Sequence, residues 1–158
     1  MESSTLSWRV LFWKARLFAD AALQVVYFGF GIWGWWNWLY GGKDRSRLNV
    51  ARAGRLEIGL LLILLPLLTW GLREVLVRVN GAAPWGDALT TMLSLQAQYL
   101  LCRKRLENWF FWMAADLIYI PLYLVRGLPL TALLYAVFLG LCVAGLREWW
   151  KSWRQEST

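Results

Sequence analysis

Ile58-Gly59-Leu60-Leu61-Leu62-Ile63-Leu64-Leu65-Pro66-Leu67-Leu68 runs without one charged or hydrogen-bonding side chain. A helix at the surface of a soluble protein keeps a polar face, and this segment has none. Extended over residues 58–79, it reaches the roughly 20 mostly apolar residues that a helix rising about 1.5 Å each needs to cross a hydrocarbon core of about 30 Å. Outward from it, residues 17–40, 84–101, 106–125 and 128–146 qualify or nearly do. Pro66 and Pro121 fall inside such stretches, where spanning helices tolerate proline if a neighbour re-satisfies the freed carbonyl. The sequence therefore predicts an all-α, polytopic transmembrane bundle: about five spanning helices and a short partial helix ahead of them.

Composition agrees. Of the 158 residues, 59% are apolar and 17% charged, against roughly 45–50% and about 25% in soluble globular domains. The 13 tryptophans outnumber the ten carboxylates. Disordered chains lack such aromatic content. Two cysteines and no histidine argue against a disulfide framework and against a Cys/His metal site.

The net charge of +7 is informative by position and gives no reason to expect nucleic acid as a partner. Lys43, Arg45, Arg47, Arg52 and Arg55 lie between the first two stretches, and the next gap has no basic residue. Arg103, Lys104 and Arg105 follow, then Arg126 alone, then Arg147, Lys151 and Arg154 after the last stretch. This alternation follows the positive-inside rule and predicts a cytoplasmic C-terminus. Basic residues at a bilayer surface also suit anionic lipid. Arg73 and Arg78 fall near the opposite end, where they are expected to snorkel, with Glu74 as a partner for one of them. Arg9, Lys14 and Arg16 in residues 1–18 break the charge rule, and the apolar pieces around them are too short for a signal peptide. That irregularity suggests a helix missing ahead of the first stretch.

Gly31-Ile-Trp-Gly-Trp35-Trp36 near the end of the first stretch and Gly145-Leu-Arg-Glu-Trp149-Trp150 at the end of the last share Gly-x-x-x-Trp-Trp. Parallel repeats are a common transporter plan, whereas a tryptophan girdle at the interface explains the match equally well. On the repeat reading, one transmembrane domain covers residues 1–158. Residues 8–40 are what is left of a first repeat, 58–79 a linker helix and 84–150 a second repeat of three helices.

Polar residues inside the stretches carry the functional expectation. Asp87, Thr91, Ser94 and Gln98 fall on one helical face. Asn108, Trp112, Asp116, Tyr119 and Tyr123 form a second stripe, and Gln24, Tyr27, Gly31 and Trp35 a third. Lipid penalises such groups, so the three stripes should face one another. Ordinary interhelical hydrogen bonding accounts for Thr91 and Ser94. It accounts poorly for Asp116, ten residues into its stretch, where a charge costs about 2.5–3.5 kcal/mol. No Lys or Arg lies at similar depth. Trp109 and Trp112 nearby offer ring faces that attract cations. An acid among aromatic rings, amides and hydroxyls suits an organic cation bearing hydroxyl groups.

At these residues the chain resembles a known family. Phe18-Ala-Asp-Ala-Ala-Leu-Gln24-Val-Val-Tyr27 with Gly34-Trp35-Trp36, Trp85-Gly-Asp87 through Gln98-Tyr99, Arg103-Lys104-Arg105-Leu-Glu107-Asn108-Trp109-Phe-Phe-Trp112 with Asp116-Leu-Ile-Tyr119, and Gly127-Leu-Pro-Leu-Thr131 into Trp149 are similar to helices three, five, six and seven of the PnuC-type vitamin transporters. The resemblance implies seven helices in a three-plus-one-plus-three arrangement, a homotrimer, and a place in the bacterial inner membrane. It implies facilitated diffusion of nicotinamide riboside, a precursor of NAD, with thiamine or another cationic vitamin as the alternative. It also implies substrate contacts at Gln24, Tyr27, Thr91, Gln98, Asn108, Trp109, Trp112 and Asp116; the stripes add Asp87 and Tyr119. The family's first helix and most of its second have no counterpart here, so one wall of the pocket is expected to be missing, and a non-transporting scaffold subunit stays an alternative. No cofactor, metal or enzymatic activity is expected. A membrane transferase would need a nucleophile, base or metal, and Cys102 and Cys142 are isolated.

Overall fold

The structure, a computed structural model, describes residues 23–78 and 83–156. The irregular segment 1–18 and the start of the first stretch lie outside them. Among the described residues the chain is all-helical: α1 over 23–40, a single 3-10 turn at Lys43–Arg45, α2 at Arg55–Arg78, α3 at Pro84–Cys102, α4 at Asn108–Val125 and α5 at Pro129–Glu156. Each helix runs antiparallel to the next, so the bundle has one end carrying the basic loops and one opposite end.

Among the described residues three helices, α2, α4 and α5, are long and apolar enough to cross a membrane. Helix α3 is as long as α4 but less apolar. Its polar side chains are accommodated by neighbours on either side, because it packs between α2 and α4 and is the most buried helix of the bundle. Ala88 and Ala97 on α3 and Ala115 on α4 are fully buried; small residues there let two backbones approach closely. Leu93, Leu100 and Phe111 complete that core, with Leu61 and Leu65 of α2 against it. Helix α2 buries only Thr69, as expected of a helix whose apolar surface meets lipid. Helix α5 continues ten residues past its apolar stretch, because 147–156 contains no glycine or proline to stop it.

Proline 66 sits within α2 and removes one backbone donor. The Gln96 side-chain amide reaches across from α3 and donates to Leu61 O at 3.0 Å, beside the interrupted turn. Near the opposite end Glu74 accepts from Arg73 and from Trp70 Nε1, and the Arg73 guanidinium lies 5.2 Å from the Trp85 ring centroid. The expected partner of Glu74 is thus its own neighbour, Arg73.

The C-terminal ends of α3 and α4 are closed by the same backbone chemistry. After α4, Gly127 takes φ +72, Leu128 N donates to Tyr123 O and Gly127 N to Leu124 O. This double closure satisfies carbonyls that a helix end leaves free. Lys104 closes α3 in the same way at φ 50, a conformation that costs a side-chain-bearing residue roughly 1–2 kcal/mol. Its ammonium offsets that cost by donating to Leu48 O at 2.7 Å and lying 5.1 Å from the Trp38 ring centroid.

Around this turn the basic end is strapped together. Asn37 Nδ2 donates to Cys102 O (2.9 Å) and Trp38 Nε1 to Leu101 O (3.1 Å), tying α1 to the last carbonyls of α3. Ala51 and Arg105 form an isolated parallel bridge. Glu57 takes Arg103 at 2.9 Å and Arg105 at 3.5 Å, and Glu107 accepts from Ala53 N at 2.7 Å. Several of the basic residues that set the charge alternation are therefore also structural.

Candidate functional site

Four helices converge on a cavity of about 470 Å3, within the size range of small-molecule sites. Helix α1 contributes Leu23 and Tyr27, and α3 contributes Ser94. Helix α4 gives Trp109, Trp112, Asp116 and Tyr119, spaced to share one face; α5 gives Tyr135, Phe138, Leu141 and Cys142. Most of the wall is aromatic, and Asp116 is its single carboxylate. That residue is only 3% exposed. Among the described residues, its one hydrogen-bond partner is the Cys142 thiol, with Sγ 3.6 Å from Oδ2, and no cationic side chain lies within ion-pair distance.

The two ends of the cavity differ. Toward the opposite end Tyr119, Tyr123 and Tyr135 stack in a triangle with centroid separations of 4.4, 5.3 and 5.7 Å, and Phe138 meets Tyr135 edge-on. Arg126 lies over Tyr123 at 5.8 Å and pairs with Asp87. Toward the basic end the Trp109 ring lies against Gly145, in a notch that has no room for a β-carbon. Trp149 meets both Trp109 (5.3 Å) and Trp38 (5.9 Å) edge-on. Trp109 Nε1 is buried there without a partner among the described residues. The shared Gly-x-x-x-Trp-Trp motifs consequently have unlike surroundings: Trp149 is packed, whereas Trp35 and Trp36 are about 70% exposed.

Of the ten residues expected at the site, the structure brings five together on the cavity: Tyr27, Trp109, Trp112, Asp116 and Tyr119. The other five have different surroundings. Gln24 is exposed, one turn before Tyr27. Asp87 is held by Arg126, and Thr91 Oγ1 donates to Asp87 O at 2.7 Å. Gln98 reaches Cys102 Sγ, while Asn108 is fully buried at the start of α4 and donates to Arg105 O at 2.6 Å. Cys102 itself is buried against α1, with its thiol 3.1 Å from Phe30 O and fitted beside Gly34. The α5 wall was not anticipated. Its only trace in the sequence is Tyr135, Phe138 and Cys142 at i, i+3 and i+7 in an otherwise aliphatic stretch. No cluster of three metal-ligating side chains exists among the described residues.

The family described as "Nicotinamide mononucleotide transporter" matches residues 3–151. The chain belongs to this family, the PnuC family. Among curated PnuC-family relatives, the "Riboflavin/roseoflavin transporter RibM" of Streptomyces davaonensis is 28% identical over 170 aligned positions, covering 96% of this chain and 74% of the relative. The "Nicotinamide riboside transporter PnuC" of Escherichia coli is 23% identical over 175 positions, covering 94% and 73%; its counterpart from Shigella flexneri gives the same values. No solved structure matches. A PnuC-family chain with three apolar helices of spanning length is a multi-pass membrane protein of a vitamin-transporter family.

Proposed function

We propose that the protein carries nicotinamide riboside through the four-helix cavity by facilitated diffusion, without acting as an enzyme. One observation carries this reading: a buried carboxylate faces an aromatic cavity with no cationic side chain among the described residues to neutralise it. A pyridinium ring bearing sugar hydroxyls supplies that charge, stacks on flat side chains and offers hydroxyls to Ser94 and the tyrosines. Cation–π attraction of about 0.5–2 kcal/mol per ring adds to the pairing. Tyr27, Trp109, Trp112, Asp116 and Tyr119 make the contacts. Asp87, Thr91, Gln98 and Asn108 shape the helices that present them, and Gln24 is exposed one turn before Tyr27.

A second reading is riboflavin, favoured by the relative that carries riboflavin and roseoflavin. Its flat ring also suits the aromatic walls, but it brings no positive charge to Asp116. Thiamine, a cation with an alcohol, is the third candidate. In each case transport is alternating access, the helices around the cavity rocking between openings at either end. By charge distribution the basic end and the C-terminus face the cytoplasm, in a bacterial inner membrane, and by family resemblance the chain assembles as a trimer.

Calorimetry on detergent-purified protein with nicotinamide riboside, thiamine and riboflavin side by side tests this. Saturable binding of nicotinamide riboside alone supports the first reading, and binding of riboflavin alone replaces it with the second. Silence from all three in folded protein leaves a scaffold subunit.

A further inference from the structure

Helix α5 entered the site unannounced, and its Cys142 is placed to do more than fill space. The thiol lies 26 residues along the chain from Asp116, on a facing helix, and is the sole hydrogen-bond donor that reaches that carboxylate among the described residues. Both residues line the cavity and both are buried, Asp116 to 3% and Cys142 to 8% exposure. A carboxylate at this depth with one weak donor is under-satisfied, because an ionised acid accepts at both oxygens. Because Asp116 lines the cavity, a further donor or a cation can reach it from there.

Resting on the reading above, we propose that Cys142 is the residue that tunes the site for positively charged vitamins. Its thiol engages Oδ2 and fixes the carboxylate against α5, so that the remaining acceptor capacity is aimed into the cavity between Trp112 and the tyrosines. A donor at this place holds the oxygen that faces α5 and leaves the other oxygen for a ligand in the cavity. It thereby raises affinity for a cation and does little for a neutral ring of the same shape. Cys142 acts through Asp116 as a positioning residue. Its neighbour Leu141 also lines the wall without a polar atom to contribute.

The test compares nicotinamide riboside with its reduced, uncharged form, which keeps the sugar and the ring outline but loses the positive charge. Binding of both is measured on the full chain and on Cys142→Ala and Cys142→Ser variants, with thermal unfolding recorded for each. The Ala variant is expected to bind the cation about tenfold more weakly, the change appropriate to losing one hydrogen bond to a charged group, and to bind the neutral form within about twofold of the parent. The Ser variant, with a stronger donor in nearly the same volume, is expected to restore cation binding. Equal losses for both ligands, no loss for either, or failure of Ser to restore what Ala removes each overturns the assignment. An unmodified protein that binds neither form overturns the nicotinamide riboside reading itself, an outcome visible before any variant is made.

Discussion

Arg126 Nη2 lies 2.8 Å from Oδ1 and 2.9 Å from Oδ2 of Asp87, so one guanidinium nitrogen spans both oxygens and joins the end of α4 to the first turn of α3. The pair sits beside the tyrosine triangle and closes that end of the bundle. Both side chains are partly exposed, which keeps the energy of the pair small.

Arg126→Gln should therefore lower stability by about 1 kcal/mol, the upper range for exposed pairs. Asp87→Asn should cost a similar amount, and the double variant less than the sum. Thermal unfolding in detergent reads all three. Strict additivity would mean that the two charges do not interact.

Asp116→Asn keeps the shape of the side chain and removes its charge. Affinity for nicotinamide riboside should fall at least tenfold, about 1.4 kcal/mol, while affinity for riboflavin changes little. Calorimetry with both ligands checks the expectation, and unchanged binding of the cation removes Asp116 from the site.

Gly145→Ala puts a methyl group where the Trp109 ring now lies. An indole cannot fold its far edge away as a flexible chain can, so overpacking should cost roughly 1–3 kcal/mol and shift Trp109 within the cavity wall. Gly140→Ala on the same helix meets open space and should be neutral or slightly stabilising, because Ala is the better helix former. Comparing the melting temperatures of the two variants separates local crowding from a general effect of alanine in α5.

Gln96→Leu removes the donor to Leu61 O beside the proline turn of α2. A loss of about 1 kcal/mol is expected, read as faster hydrogen exchange at the amides around residues 61–65. Exchange unchanged there would show that Gln96 contributes nothing to holding α2.

The charge-free run at 58–68 was enough to read a spanning helix, because a helix at the surface of a soluble protein keeps a polar face and this one has none. The site was half legible. Asp116 and the aromatic residues at helical spacing around it stand out within an apolar stretch, and they do meet. Asn108, Thr91 and Gln98 carry equally polar groups, but their donors find a local carbonyl or a neighbouring thiol, and spacing cannot distinguish a donor satisfied locally from one aimed across a cavity. Cys142 and Tyr135 were hidden for the opposite reason: a thiol and a phenol barely disturb the hydropathy of a leucine-rich helix. Helix α3 carries a weaker apolar signal than α2 and α4 because protein packs against it on both sides.

The clamp between α1 and α3 has a consequence for biogenesis. The carbonyls that Asn37 and Trp38 hold belong to residues 65 and 63 positions later in the chain. While the ribosome is still making α2, these amide and indole donors have no native acceptor. The two hydrogen bonds that tie the end of α1 to α3 can therefore form only when α3 is complete.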